Sequence, residues 1–320
     1  MNNLKRILSL ALATVMVIGM MVVGASAADY PDADKIVNKD AVETLGALGI
    51  MNGDERGFRP QDGLTRAEAA KMLTKIHNKG VDVNFGVKDT PTFKDTDGHW
   101  AEGIIEYAAA FGIANGKGNG IFDPQGELTV AQLARMLLNM MGYTEGQTGS
   151  DWELKTTVLA NNLGLFADLK DFLPTGKVTR DNAAQILVNA INEPLADGNV
   201  TTEDVYTLTG TDEKGAAIKL DFDSSTAAYL YASINKMKDI KVEKTTSKKA
   251  ETLATKYLSL KDKTGIVTAS KKQDDGTYKV TVGGTDFTKL TTDYTDMLGR
   301  KVKVLYKSES AVYGINTADA

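Results

Sequence analysis

The chain has 320 residues, with 42 acidic and 37 basic side chains and a formal net charge of −5. A hydrophobic content of 42% and a charged content of 25% are ordinary for a soluble globular protein, and the length allows roughly two domains. An acidic chain without a basic run is a poor candidate for binding nucleic acid. The sequence has no cysteine, which excludes disulfides and thiolate chemistry.

Residues 1–27 have the composition of a secretion signal. Lys5 and Arg6 precede an apolar run from Ile7 to Gly24, and an Ala-Ser-Ala cleavage signal follows at 25–27. The mature chain is expected to begin at Ala28, with 35 basic against 42 acidic residues and a net charge of −7. The alternative is a retained membrane anchor, because the apolar run is long enough to span a bilayer. Cleavage predicts a secreted protein.

Thr65 and Glu68 predict the start of a helix, because their spacing allows a capping box. The apolar residues at 69, 72, 73 and 76 continue at helical spacing. Arg66 therefore lies in the first turn, where the helix dipole disfavours a cation. Such an arginine is expected either to be solvated or to face an anionic group.

Three segments share one plan: a helix that ends in Gly-Ile or Gly-Leu, a loop with Phe and Pro, and a Thr that opens a second helix. The landmarks are Gly49, Phe58, Pro60 and Thr65 in the first segment, Gly112, Phe122, Pro124 and Thr129 in the second, and Gly164, Phe172, Pro174 and Thr179 in the third. We call them segments 1, 2 and 3, with predicted bounds 28–80, 91–143 and 150–192. One helix pair cannot bury its own apolar faces, so the three are expected to pack together.

Two further landmarks precede each first helix. Trp100 and Trp152 lie twelve residues before the glycines of segments 2 and 3, and Val37 takes that place in segment 1. An aromatic-x-Asp motif, which ends in Asp32 or Asp95, lies further upstream in segments 1 and 2 and is lacking in segment 3.

These residues resemble the S-layer homology (SLH) domain, and their order resembles the three-repeat module near the N-terminus of many bacterial surface-layer proteins. The resemblance covers roughly Asp29 to Asn192. It implies an all-α bundle of three prongs with approximate threefold symmetry, whose grooves bind secondary cell-wall polysaccharide, usually through a pyruvylated amino sugar. It implies an anchor without catalytic activity and without a cofactor or metal.

The resemblance also implies which residues hold the glycan. Arg66 and Arg180 are expected to bind the pyruvate carboxylate at helix N-termini, because a guanidinium can form two parallel hydrogen bonds with a carboxylate. Gly49, Gly112 and Gly164 are expected to let the sugar approach the backbone.

The aromatic and acidic landmarks have more than one interpretation each. Trp100 and Trp152 either stack on a sugar face or pack in the core. Asp32 and Asp95 accept hydrogen bonds from the sugar hydroxyls, or brace the groove, or cap a helix.

Segment 2 departs from the family pattern at Val130, where the arginine is missing. We expect its helix to form but its glycan site to be weak or absent, which leaves two working grooves. Arg135 and Lys117 are candidates to replace the missing cation, although neither lies at the matching position.

Residues 193–202 are predicted to be a linker, and 203–320 a β-rich domain that is either a five-strand barrel or a sandwich. Polar and apolar residues alternate in its strand candidates. The candidates are 265–268, 277–282, 300–306 and 311–315, with a hairpin turn at 275–276 and a helix over 224–238. The predicted fold class is α + β multidomain.

The sequence favours a non-catalytic surface protein that is anchored to the wall and either displays its C-terminal domain or self-assembles through it in a surface lattice. The first alternative is an anchored glycan hydrolase, which would need two carboxylates across a cleft. The acidic residues available to it, 221, 223, 274 and 275, are more simply interpreted as turn or solvated residues. The second alternative is an adhesive or carbohydrate-binding domain. His77 and His99 are the only histidines, which gives triads and histidine-ligated metals little support.

Overall fold

The computed structural model describes residues 27–83, 90–144, 149–222 and 224–317. The predicted leader, apart from Ala27, lies outside these residues. Among the described residues, no helix has the length and apolar character needed to cross a membrane.

The N-terminal part contains two helices in each segment. They are α1 (Lys39–Ala47) and α2 (Arg66–His77), α3 (Glu102–Ala110) and α4 (Val130–Met140), and α5 (Trp152–Asn162) and α6 (Arg180–Asn192). Helices pack across the segment boundaries, α2 on α3, α4 on α5 and α6 on α1. Each crevice between segments is therefore formed by the second helix of one segment and the first helix of another.

The second helix of each segment begins where the sequence predicts. Thr65 and Thr129 each complete a capping box with the residue three positions on. The hydroxyl of Thr179 accepts a hydrogen bond from the N–H three positions on, but there is no reciprocal bond. The threonine fixes the first residue of each helix, because its hydroxyl accepts from an N–H that has no partner within the helix.

The three segments meet in a ring of extended backbone just before their second helices. Leu128 N donates to Leu64 O (2.9 Å), Val178 N donates to Leu128 O (2.9 Å), and Leu64 N donates to Val178 O (3.2 Å). All three side chains are fully buried. Each bond joins a different pair of segments, so the ring requires all three.

The C-terminal part contains two antiparallel sheets and two further helices. The elements are β1 (Val200–Thr211), β2 (Ala217–Phe222), α7 (Ser225–Ile234), β3 (Lys238–Ala250), α8 (Leu253–Lys256), β4 (Lys261–Lys272), β5 (Tyr278–Val282), β6 (Thr285–Leu290), β7 (Lys301–Ser308) and β8 (Ala311–Thr317). The strand orders are β2-β1-β3 and β6-β5-β4-β7-β8. Thr288 N on β6 donates to Glu309 O beside β8 (2.7 Å), so the two ends of the larger sheet approach each other.

The predicted fold class, an all-α bundle followed by a small β-rich domain, is wrong. The described residues contain eight α-helices and sheets of three and five strands, and the helical core is not built by the segments alone. Leu253, Leu258 and Leu260 of the C-terminal part are buried in the same core as the helices. β8 also packs on α1. Six short helices leave apolar surface uncovered, and these later residues cover it.

The segment between the two parts is held on both sides. Leu195 is buried, and its N–H donates to Glu251 O (2.9 Å). Ala196 N donates to Met141 O (3.0 Å). The helical region is thus followed by a β-rich part whose position relative to the helices is fixed by backbone hydrogen bonds.

Candidate functional site

The loops of segments 1 and 2 are each clamped by an aspartate of the same segment. Asp32 accepts from the N–H groups of Phe58 and the next residue, both at 2.8 Å. Asp95 accepts from the N–H groups of Phe122 and the next residue, at 2.9 and 2.7 Å. Asp32 makes no side-chain cap to the short helix that follows it. The two carboxylates therefore brace the loops.

The charge of Asp95 is stabilised by its surroundings. Burial opposes ionisation, but the N–H groups of Phe122 and Asp123 and the charge of Arg66 together hold the pKa of the Asp95 carboxyl below its ordinary value. The clamp is therefore formed by the ionised aspartate.

Arg66 holds the loop of segment 2 from the other side. Its Nε donates to Phe122 O and its Nη2 to Asn115 O, both at 2.7 Å. The guanidinium carbon lies 4.6 Å from the centroid of the Phe122 ring. Only 6% of the residue is exposed, and this burial lowers the pKa of its guanidinium. Arg66 therefore connects segment 1 to the loop of segment 2.

Arg180 has the same role between segments 3 and 1. Its Nε donates to Phe58 O and its Nη2 to Asn52 O, both at 2.9 Å, with the guanidinium carbon 5.1 Å from the centroid of the Phe58 ring. It is also 6% exposed. Segment 3 is thereby connected to the loop of segment 1.

The N–H groups at the starts of these helices are already bonded to protein atoms. Arg66 N donates to Gly126 O and Ala67 N to Pro124 O, at 2.9 and 3.0 Å. Arg180 N and Asp181 N make the corresponding bonds to the loop of segment 1. The free N–H groups that an anion would need at a helix N-terminus are therefore not available here.

The three glycines end the first helices with φ values of +65° at Gly49, +65° at Gly112 and +77° at Gly164. A Cβ at Gly112 would meet nothing within 4 Å, and one at Gly49 would lie 3.8 Å from Lys75 Nζ. One at Gly164 would lie 3.2 Å from Glu193 Oε1. The backbone is therefore open at two of the three positions and covered by a carboxylate at the third.

Site A, defined by Gly49, Lys71 and Trp100, lies where α2 meets α3. Trp100 is 56% exposed, and Lys71 Nζ lies 6.0 Å from the centroid of its ring. An exposed indole with a nearby ammonium group presents an apolar face and a positive charge to the same ligand.

Site B, defined by Gly112, Arg135 and Trp152, is the corresponding place where α4 meets α5. The guanidinium carbon of Arg135 lies 4.9 Å from the centroid of the half-buried Trp152 ring. Partial burial lowers the pKa of Arg135. Site B thus has the same pair of groups as site A.

Groove C, defined by Val37, Gly164 and Gln185, lies where α6 meets α1. It has a volume of about 590 Å³, and β7 and β8 form one wall of it. Gln185 takes the place of Lys71 and Arg135, because all three lie five residues after the first residue of their helices. Val37 takes the place of the tryptophans.

Val37 and Gln185 lie in groove C, and Val130 N donates to Gly176 O in the loop of segment 3. Arg180 holds the loop of site A, Arg66 holds the loop of site B, and Val130 stands at the matching position for the loop of segment 3. Phe172 in that loop is half-buried, whereas Phe58 and Phe122 are fully buried. Groove C therefore lacks the bracing arginine and the pair of a cation and an indole that sites A and B share, although Lys39 and Lys303 line it elsewhere.

Sequence reasoning missed Lys71, and named Arg135 only as a replacement for an arginine at Val130. The signal that could have found both is their shared position, five residues after Arg66 and Val130. This shared position is not apparent from the sequence, because the recurring motif lies in the first turn of the helix and does not extend to it.

The S-layer homology domain model matches residues 29–70 and 92–134, within segments 1 and 2. Segments 1 and 2 are S-layer homology domains. The chain is 30% identical over 246 residues to a cell surface protein of Thermoanaerobacter kivui. This match covers 70% of the chain and 32% of the relative. It is 29% identical over 203 residues to S-layer protein sap of Bacillus anthracis, which covers 58% of this chain and 24% of the relative.

Enzymes also share the SLH region. An amylopullulanase of Thermoanaerobacterium thermosulfurigenes is 31% identical over 111 residues, which is 32% of this chain and 6% of the enzyme. The chain thus spans less than half the length of these relatives. The SLH domains and the S-layer relatives make it a secreted, cell-surface protein that is anchored at the cell surface.

Proposed function

We propose that the chain is a non-catalytic anchor that binds secondary cell-wall polysaccharide in sites A and B. The observation that supports it most directly is the recurrence of one pair of groups, a surface cation beside an indole, in both sites. A tryptophan face suits the apolar face of a sugar ring, and the cation suits a carboxylate on the same sugar. A pyruvylated sugar supplies both.

The arginines have a positioning role in this proposal. Arg66 and Arg180 use two nitrogens each to fix the loops of sites B and A, which follow Gly112 and Gly49. The ligand is bound directly by Lys71, Arg135 and the two tryptophans. Asp32 and Asp95 brace the same loops from within their own segments.

The C-terminal part contributes to assembly in this proposal, because relatives whose matches cover 58% to 97% of this chain are named cell surface or S-layer proteins. Of the carboxylates that the sequence offers to a glycan hydrolase, Asp221, Asp274 and Asp275 lie at exposed positions. Asp275 accepts from Thr277 N in an exposed hairpin turn, and Asp221 accepts from Thr207 Oγ1 on an exposed strand. Asp223 lies outside the described residues.

The test is binding of the secreted chain to purified wall sacculi, before and after removal of pyruvyl groups. Lys71→Ala combined with Arg135→Ala is expected to reduce binding at least tenfold, because both carboxylate partners are lost. Depyruvylation of the sacculi is expected to reduce wild-type binding similarly. The matched control is Lys155→Ala, an exposed lysine on α5 that pairs with Asp151.

The outcome that contradicts the proposal is full binding by the double variant or to depyruvylated sacculi. Arg66→Ala combined with Arg180→Ala separates positioning from contact. A positioning role lowers the melting temperature together with binding, whereas loss of binding at an unchanged melting temperature would make these arginines direct ligands.

A further inference from the structure

We infer that groove C does not take the wall glycan and is instead the docking surface for the chain's own five-stranded sheet. The part of this inference that concerns the glycan rests on the proposed function of sites A and B. The part that concerns docking depends only on contacts within the chain, and it is tested separately without a ligand.

The first argument is the chemistry of the groove. Gln185 and Val37 replace the cation and the indole of sites A and B, and no arginine stands at Val130. Asp40, Asp168 and Glu193 line the groove together with Lys39 and Lys303, so its lining carries no excess of positive charge. An anionic sugar would therefore lose the paired cation and indole without gaining a net attraction in their place.

The second argument is the carboxylate that covers the glycine. Glu193 Oε1 lies 3.2 Å from the position of a Cβ on Gly164, where the backbone is open at Gly112. Burial raises the pKa of Glu193, and the charge of Lys303 on β7 opposes this rise. The Glu193 side chain thus occupies the space through which a sugar would reach the Gly164 backbone. The positive charge that opposes its raised pKa is that of Lys303 on the sheet.

The third argument is the way in which the helices around groove C are joined. Asp181, which is 3% exposed, accepts from the N–H groups of Val37 and Asn38 at 3.1 and 3.2 Å, and from Asn38 Nδ2 at 2.7 Å. The matching residues at sites A and B are alanines, Ala67 and Ala131. The start of α1 is therefore tied to α6 by a charge-assisted network that only this crevice has among the described segments.

The fourth argument is the close approach of the sheet. A Cβ at Gly314 on β8 would lie 2.6 Å from Thr44 Oγ1 on α1, so the strand reaches the helix only because this residue is glycine. Thr44 is fully buried beneath it. Lys303 and Leu305 of β7 and Asn316 of β8 then form the wall of groove C.

The consequence is that each chain binds two sugars, and that its sheet keeps one orientation relative to the helices. One wall of the pocket that a third sugar would occupy is formed by the C-terminal part, which displays or assembles the rest of the protein.

The glycan part is tested by calorimetry of the secreted chain with a pyruvylated N-acetylhexosamine methyl glycoside. The expected number of bound sugars is two for the wild type, one for Lys71→Ala or Arg135→Ala, none for the double variant, and two for Gln185→Ala. A double variant that still binds one sugar, or a Gln185→Ala variant that loses one, overturns the inference while sites A and B stand. A wild type that binds no sugar overturns the proposed function as well.

The docking part is tested without ligand, by hydrogen exchange on the full chain. Gly314→Val is expected to speed exchange in α1 at least tenfold, and Thr44→Leu, which crowds the same contact from the helix side, to speed exchange in β8. Thr268→Val, on an exposed position of β4 in the same sheet, is the control and is expected to change neither. Unchanged exchange across the contact in either folded variant overturns the docking.

Discussion

Phe122 shows how a loop without regular secondary structure is fixed at the scale of single residues. Its N–H is bonded to Asp95 of its own segment, and its C=O to Arg66 of segment 1. Its ring is fully buried beneath the guanidinium. The two opposite charges satisfy both polar groups of one backbone position, so the loop of site B requires two segments to hold its shape.

Asp95→Asn is expected to destabilise the fold by about 1 kcal/mol at pH 7, because an amide oxygen cannot replace both carboxylate acceptors. The pKa of Asp95 is lowered in the folded state, so the stabilisation is present above the unfolded pKa and is lost as the pH falls through the folded pKa. The difference from wild type in denaturant melts should therefore shrink in acid below about pH 4.

Asp97→Asn is the control, since Asp97 is an exposed residue two positions away. Equal effects of the two substitutions at pH 7 would show that the clamp contributes nothing specific.

Gly57 is the residue that allows Asp32 to reach the loop of segment 1. Its φ is +119°, and a Cβ there would lie 2.3 Å from the Asp32 carboxylate. Gly57→Ala is expected to cost more than about 2 kcal/mol in chemical denaturation, from backbone strain and loss of the clamp. Gly112→Ala has only a left-handed φ and open space, and is expected to cost about 1–2 kcal/mol. The reverse order of these two costs would contradict the clamp.

At the scale of elements, the second helix of each segment could be predicted to within a residue at its start. The threonine and the residue three positions later contain the whole signal of a capping box, which is local in sequence. A strand with one buried face, such as β5, could be predicted for a similar reason, because alternation follows from burial on one side.

The strands β1 and β3 could not be predicted. They form a long ribbon that is mostly exposed on both faces, so that neither shows alternation, and β3 consists largely of lysine, threonine and serine. Their pairing over eleven positions is a long-range property, which the composition of either strand does not contain. The start of β1 lies in residues that the sequence assigns to a linker.

The charged residues of α1 and of the turn at 295–297 predict how the stability of the fold depends on pH. Burial of Asp40, and secondarily the charge of Asp296 on that turn, raise the pKa of the Asp40 carboxyl. Glu43 on α1 and Tyr294 face the same contact. Because the pKa of Asp40 is higher in the folded state than in the unfolded state, ionisation of Asp40 destabilises the fold. The stability is highest below the unfolded pKa and is lost as the pH rises through the folded pKa.

Asp40→Asn is therefore expected to raise the melting temperature at pH 7, and to lose this advantage below the unfolded pKa of about 3.9. Asp34→Asn, an exposed aspartate outside the contact, is the control and should change the melting temperature at neither pH. A lower melting temperature for Asp40→Asn at pH 7 would show that the ionised carboxylate stabilises the contact.

At the scale of the whole molecule, the ring of Leu64, Leu128 and Val178 makes the three segments one folding unit. A fragment of residues 28–144 lacks segment 3 and leaves two of the three ring bonds unmade. We expect it to lack a cooperative thermal transition by circular dichroism, whereas residues 28–320 should unfold in one. A cooperative transition in the fragment would show that two segments suffice.

The sequence could not predict which site each departure would affect. Val37 and Gln185 stand in different segments, and only the packing of α6 on α1 brings them to one groove, while Val130 contacts the loop of segment 3. The arginines were identified from the sequence, but their partners lie in neighbouring segments, 49 and 122 residues away in the bonds Arg66–Asn115 and Arg180–Phe58. Such distances are fixed by tertiary structure alone.

The sharing of every site by all three segments limits how this protein can be recombined. Site A takes its glycine and lysine from segment 1, its tryptophan from segment 2 and its arginine from segment 3, and site B follows the same rule one step on. A chimaera that imports one whole segment from a homologue would therefore alter both proposed binding sites and groove C together. Only grafts cut inside the segments, so that a lysine, a tryptophan and an arginine from three places move as a set, would transfer one specificity intact.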